Sequence, residues 1–194
     1  MMLAPSLASL AAAACACAFL AGCETVSSET SDGRPMPPAV RKAQRAPDDA
    51  PINALSLTFE PKPGDSDGNN RPDQITLTLY LFARPYPAPT WRDGQFVVSA
   101  YRSGTAGSPS APGTKPFHVW TIETRDLNLG RFRNLIGDGY RFQLSLLDQG
   151  GTDRIEGNSL DFTVCFRPAS GGAPVWSDGA RALVFEPMRV GESR

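Results

Sequence analysis

Residues Gln74–Phe82 read Gln-Ile-Thr-Leu-Thr-Leu-Tyr-Leu-Phe, so Ile75, Leu77, Leu79 and Leu81 alternate with Thr76, Thr78 and Tyr80. Successive side chains of an extended chain point to opposite faces, so this run has one apolar face and one polar face. Wound into a helix, the same residues would scatter apolar groups around the whole circumference. The pattern recurs. Tyr140–Leu147 sets Tyr140, Phe142, Leu144 and Leu146 against Arg141, Gln143 and Ser145. Leu160–Arg167 sets Leu160, Phe162, Val164 and Phe166 against Asp161, Thr163 and Cys165, which turns Cys165 away from the core. Ile52–Glu60 aligns Leu55, Leu57 and Phe59, and Gln95–Arg102 aligns Phe96, Val98 and Ala100. Phe117–Glu123 is mixed and is expected to be covered on both faces, with Trp120 in the core. Ala180–Glu186 closes the series, with Ala182 and Val184 alternating with Leu183 and Phe185. Seven such segments, each with one face to bury, predict an all-β domain of two sheets packed face to face.

Turn chemistry fits this frame. Asp93-Gly94, Asp138-Gly139 and Asp178-Gly179 each precede a predicted strand, where Gly can supply a left-handed turn. The 18 Gly and 18 Pro are dispersed, which argues against a helical bundle. One short helix is expected over Arg125–Gly137, with Leu127, Phe132, Leu135 and Ile136 as an apolar stripe over the end of the sandwich. Ser103–Pro116 and Pro168–Pro174 read as loops. Residues 51–188 therefore form one domain of about seven antiparallel strands, a β-sandwich of immunoglobulin-like or transthyretin-like type, followed by a tail at 189–194.

The N-terminal part is different. Residues 1–22 carry no charged side chain, and Leu10–Gly22 is apolar or small throughout. Thirteen residues are too few to span a bilayer, which takes about 20, but suit the apolar core of a secretory signal. The run ends in Leu20-Ala21-Gly22-Cys23, which resembles the lipobox of bacterial lipoproteins. The resemblance implies cleavage before Cys23 and lipidation of its thiol, and hence a lipid-anchored protein of the cell envelope. Glu24 after the cysteine implies sorting to the outer membrane. Met1–Ser9 departs from the usual signal in having no Lys or Arg. Cys15 and Cys17 would leave with the signal, so Cys165 would be the one remaining thiol and no internal disulfide could form. Residues 23–50 lack aromatic residues and any periodic apolar face and read as a disordered tether, in which Arg41, Lys42 and Arg45 are solvated or touch anionic headgroups.

One loop carries ion chemistry. Asp65-Ser66-Asp67-Gly68-Asn69-Asn70-Arg71-Pro72-Asp73 places oxygen-bearing side chains at positions 1, 3, 5 and 9. Ca²⁺ takes six to eight hard oxygen ligands, and a tightly turned loop can aim alternate side chains at one centre. The spacing resembles the loops of thrombospondin type 3 repeats and related bacterial Ca²⁺ loops. By that resemblance Asp65, Asp67, Asn69 and Asp73 would donate side-chain oxygen and Arg71 its carbonyl. Asn70 stands where those loops have Gly, and Thr76 where an EF-hand has its Glu. The same composition also suits a plain polar hairpin loop, since turns favour Asp, Gly and Asn. Three carboxylates within nine residues repel one another, which favours an ion.

Arg84-Pro85-Tyr86-Pro87-Ala88-Pro89-Thr90-Trp91 is a Pro-stiffened loop, and Tyr86, Trp91 and Trp176 could stack on sugar rings or cap the end of the sandwich. His118 has no accompanying nucleophile motif, and no pair of acids marks a catalytic centre. With 19 basic and 20 acidic residues, the chain lacks the charge for phosphate-driven nucleic-acid binding. The whole resembles uncharacterised lipoproteins with a β-sandwich and an Asp-rich calcium-type loop. That implies a non-catalytic structural or protein-binding module of the envelope, stabilised by Ca²⁺ and acting on an envelope protein. A carbohydrate-binding module acting on a glycan is the alternative.

Overall fold

The computed structural model describes residues 43–107 and 114–187, all within the unit Lys42–Arg194. The signal segment 1–22, Cys23, most of the tether, part of Ser103–Pro116 and the tail at 189–194 lie outside the described residues. The strands are β1 (Ala54–Phe59), β2 (Gln74–Phe82), β3 (Gly94–Arg102), β4 (His118–Ile122), β5 (Arg131–Arg133), β6 (Asp138–Ser145), β7 (Ser159–Pro168), β8 (Val175–Trp176) and β9 (Arg181–Val184). Among the described residues one α-helix, α1, covers Thr124–Gly130. Among the described residues no helix is long and apolar enough to cross a membrane.

The strands form two antiparallel sheets. One runs β1-β2-β6-β5; the other runs β4-β3-β7-β8, with β9 also paired to β7. In immunoglobulin lettering these are A-B-E-D and C′-C-F-G, with β8 and β9 sharing the G position, so the order is the immunoglobulin-like one. The alternation sets the register. Leu57 stands opposite Leu79, Leu77 opposite Phe142, and Phe96 between Phe166 and Ile122. The apolar faces meet in a core around Phe96, Phe162, Phe166 and Tyr140, where the rings of Phe96 and Phe166 lie 4.9 Å apart. Trp120 is in that core, as expected.

Several expectations change. The described residues hold nine strands rather than seven, because β5 and β8 are too short to show alternation. The helix stops at Gly130, and the chain then pairs with β6 as β5. A β-carbon at Gly130 would collide with Phe142 and Arg141, so the chain passes too close to β6 for the helix to continue. Leu127 is buried as expected, but Leu135 and Ile136 are exposed on the β5–β6 turn instead of covering the sandwich. β4 is an edge strand with Val119 and Thr121 in water, not a strand covered on both faces. In the last segment only Leu183 and Phe185 are buried. Cys165 does alternate away from the core, yet it is buried, opposite Val97 of β3 and Trp176 of β8. The packed domain also starts earlier than Pro51: Ala46 and Ala50 lie against the core.

The Asp-Gly pairs differ in mechanism from the expectation. Only Gly179 takes the left-handed conformation, at φ +74°. Gly94 and Gly139 lie inside strands, where a β-carbon would strike Phe166 and the Arg167 carbonyl, or Phe132 and Tyr80. They serve close approach rather than turning.

Candidate metal centre

The Asp-rich loop joins the end of β1 to the start of β2, at the end of the sandwich where β6 finishes. Its geometry is local. Asp65 accepts hydrogen bonds from the backbone N–H groups of Gly68 (2.8 Å) and Asn70 (2.7 Å). The turn that brings these amides round requires positive φ at Gly68 (+76°) and Asn70 (+64°), so Asn does here what Gly does in the loops this one resembles. Asp67 accepts from the backbone and side-chain nitrogens of Asn69. Asp73 is fully buried. It accepts from the Ser66 N–H, the Ser66 hydroxyl and the Ser145 hydroxyl, each at 2.6 Å, and so fastens the loop to the end of β6.

These bonds bring three carboxylates together: one oxygen from each of Asp65, Asp67 and Asp73 lies within 4.8 Å of the others. Ca²⁺ holds its ligands at about 2.3–2.6 Å, so two ligands of one ion can be about 5 Å apart at most, and this set fits. Carboxylate oxygens are also the right donor class for a hard cation. A carboxylate offers about four lone-pair sites, so Asp73 has capacity beyond its three hydrogen bonds. None of the ion pairs among the described residues involves these three aspartates. Desolvation pushes the Asp65 carboxyl up, but the amides of Asn70 and Gly68, with Asp67 and Asn69, outweigh it and hold the group below its ordinary 3.8.

The other two expected ligands stand differently. The Asn69 side-chain oxygen accepts the Arg71 N–H (2.8 Å). Its amide nitrogen donates to Asp67 (2.9 Å) and to Asp153 (2.7 Å). Asp153 comes from the β6–β7 connection and has no signal in the sequence, because the two residues are 84 positions apart. Ser66 and Ser145 are equally unmarked in the sequence. Arg71 is exposed, and with Asp153, Arg154, Glu156 and Phe185 it lines an adjacent cleft of about 550 Å³.

The aromatic candidates do not form one site. Trp91 is half-buried, and its indole N–H donates to the Gly139 carbonyl at 3.0 Å. The guanidinium groups of Arg131 and Arg133 lie 5.8 and 5.1 Å from its ring centroid, so the ring is already stacked within the domain. Tyr86 packs partly on the core, while Trp176 is exposed on β8 in the other sheet. The His118 and Trp120 ring centroids lie 4.4 Å apart with the rings tilted; burial pushes the His118 pKa down against the pull of Asp148. Burial pushes the Cys165 thiol up, despite Arg167 nearby, which makes it a poor nucleophile.

Comparison with protein-family models, curated proteins and solved structures returned no match. The functional reading therefore rests on these residues.

Proposed function

We propose that the protein is a lipid-anchored, non-catalytic module of the bacterial envelope, fixed at one end by Ca²⁺ and docking an envelope protein. The convergence of Asp65, Asp67 and Asp73 carries the metal part. Leu20-Ala21-Gly22-Cys23 supports the anchor, and Glu24 supports the outer membrane. Asp65 would supply a half-buried ligand and Asp67 an exposed one. Asp73 would supply a buried one, coupling the ion through Ser145 to β6. The ion would relieve the repulsion among the three carboxylates, and its role is structural.

Two measurements test this reading. Calorimetric titration of the full chain, purified in detergent, should show Ca²⁺ binding at roughly 10⁻⁴–10⁻³ M, the range of extracellular modules. Asp67→Asn should weaken it at least about tenfold, whereas heat signals that do not saturate would remove Ca²⁺ from the proposal. Separately, Cys23→Ser should move the protein out of the membrane fraction.

A further inference from the structure

Leu135 and Ile136 form the tip of the β5–β6 hairpin. Leu135 is wholly exposed and Ile136 is 60% exposed, and among the described residues they are the only adjacent pair of exposed large apolar side chains. The tip is firmly built. Asn134 N–H donates to the Gly137 carbonyl at 3.0 Å, the Asn134 side-chain oxygen accepts the Ile136 N–H at 3.0 Å, and its amide nitrogen donates to the Tyr80 hydroxyl at 2.9 Å. Gly137 fits so closely against Pro89 that a β-carbon there would clash. The fold thus holds two aliphatic side chains out into solvent.

Three connections put this tip at the end where the chain enters the sandwich. Tyr140 of β6 stands opposite Leu79, so the turn before β6 lies level with the last residues of β2, which face the start of β1 at Ala54. Asn53, just before β1, exchanges hydrogen bonds with Arg84 at 2.8 and 3.1 Å. Arg92 donates to the Pro47 carbonyl at 2.6 Å. The Asp-rich loop lies at the opposite end, after β1 and before β2.

The surroundings suit a lipid surface. Ala83–Arg92 and Arg131–Gly137 contain Arg84, Arg92, Arg131 and Arg133 and no acidic residue. Arg131 and Arg133 are matched by Asp93 and Asp138. Arg84 is exposed and makes no ion pair among the described residues, while the arriving chain carries the exposed Asp48 and Asp49. Tyr86 is half-buried beside the exposed Pro85 and Pro87, and such amphipathic rings are enriched at the headgroup level of membranes. An exposed apolar pair with basic and aromatic residues at the same end matches the chemistry of an interfacial contact.

We propose that the Leu135-Ile136 tip, with Arg84 and Tyr86 at the same end of the sandwich, docks into an anionic lipid headgroup layer and seats the sandwich with its Asp-rich loop facing away from the membrane. The proposal rests on the lipid-anchor reading. Cys23 lies twenty residues before the first described residue, Ala43, and such a span reaches at most about 70 Å, so this end is within range of the bilayer.

The test uses the full chain purified in detergent and returned to phosphatidylcholine vesicles containing phosphatidylglycerol, with nitroxide-bearing lipid as quencher. Ile136→Cys and Val184→Cys carry the same polarity-sensitive fluorophore, and the signal of the unsubstituted chain treated alike is subtracted. Val184 is a similarly exposed aliphatic residue, paired with Ser159 at the start of β7. Both substitutions are at exposed sites, so neither threatens folding. Docking predicts at least about twofold stronger quenching at position 136 than at 184, and loss of blue-shifted emission when Leu135→Ser is added. Equal quenching at the two positions in membrane-bound protein would overturn the docking and leave the anchor standing. If Cys23→Ser leaves membrane association unchanged while position 136 stays quenched, the anchor fails and the docking stands. A chain that binds no vesicles overturns both.

Discussion

The two ends of this sandwich are built from similar turn-rich sequence and solve their charge differently. At the end holding Trp91, two cations have carboxylate counterparts: Arg131 pairs with Asp93, Arg133 pairs with Asp138, and both guanidinium groups lie near the Trp91 ring. Tyr140 completes that end; its hydroxyl donates to the Arg92 carbonyl and accepts the Arg92 N–H, both at 2.7 Å. At the Asp-rich end three carboxylates face one another, and only amides and hydroxyls answer them. At one end the clustered charges are of opposite sign and pair within the chain. The other has negative charge left over, which is what a cation site needs and what a merely structural turn does not.

Substitutions at each end probe this contrast. Asp73→Ala should have the largest effect, about 3 kcal/mol of lost stability in denaturant unfolding, because it strands three donors where the loop meets β6. It should also abolish any Ca²⁺ response. Trp91→Ala should cost roughly 2–3 kcal/mol through lost packing, one hydrogen bond and the cation stacking, while the Ca²⁺ response stays at its wild-type size. An altered response in that variant would mean that the ends are coupled and the contrast is false. Tyr140→Phe should cost about 1–2 kcal/mol, since it leaves both backbone groups of Arg92 without their partner. The smallest effect concerns acid. The Asp65 pKa is depressed in the folded state, so the stability it contributes is present above 3.8 and is lost as pH falls through the folded value. Unfolding curves between pH 6 and pH 3 should therefore converge for wild type and Asp65→Asn at the acid end, whereas Trp91→Ala keeps its offset.

Much of this was legible in the sequence because alternation with period two is a direct consequence of strand geometry. Gln74–Phe82 matches β2 residue for residue, and Leu160, Phe162, Val164 and Phe166 of β7 are buried as its alternation marks, although Thr163 and Cys165 on the opposite face are buried as well. The misreadings have a common cause in contacts between distant residues. Leu135 and Ile136 share a helical spacing with Leu127, but the close approach of Gly130 to β6 ends the helix first. Gly94 and Gly139 looked like turn residues, while the need for Gly comes from Phe166 and Phe132, far away in sequence. The candidate site divides the same way. Asp65, Asp67 and Asp73 lie on one loop, and their convergence could be expected from spacing alone. Asp153 and Ser145 reach the loop only through the packing of β6 and the connection after it.

The central claim is that the Asp65–Asp73 loop holds Ca²⁺, and thermal unfolding of the full chain in chelator and in 5 mM Ca²⁺ tests it most directly, with Asp67→Asn run alongside. A dissociation constant of roughly 10⁻⁴–10⁻³ M implies about 1–2 kcal/mol of stabilisation, or a rise in Tm of about 2–9 °C. That rise should appear in the wild-type chain and vanish in Asp67→Asn. No rise in the wild type, or the same rise in both chains, would contradict it.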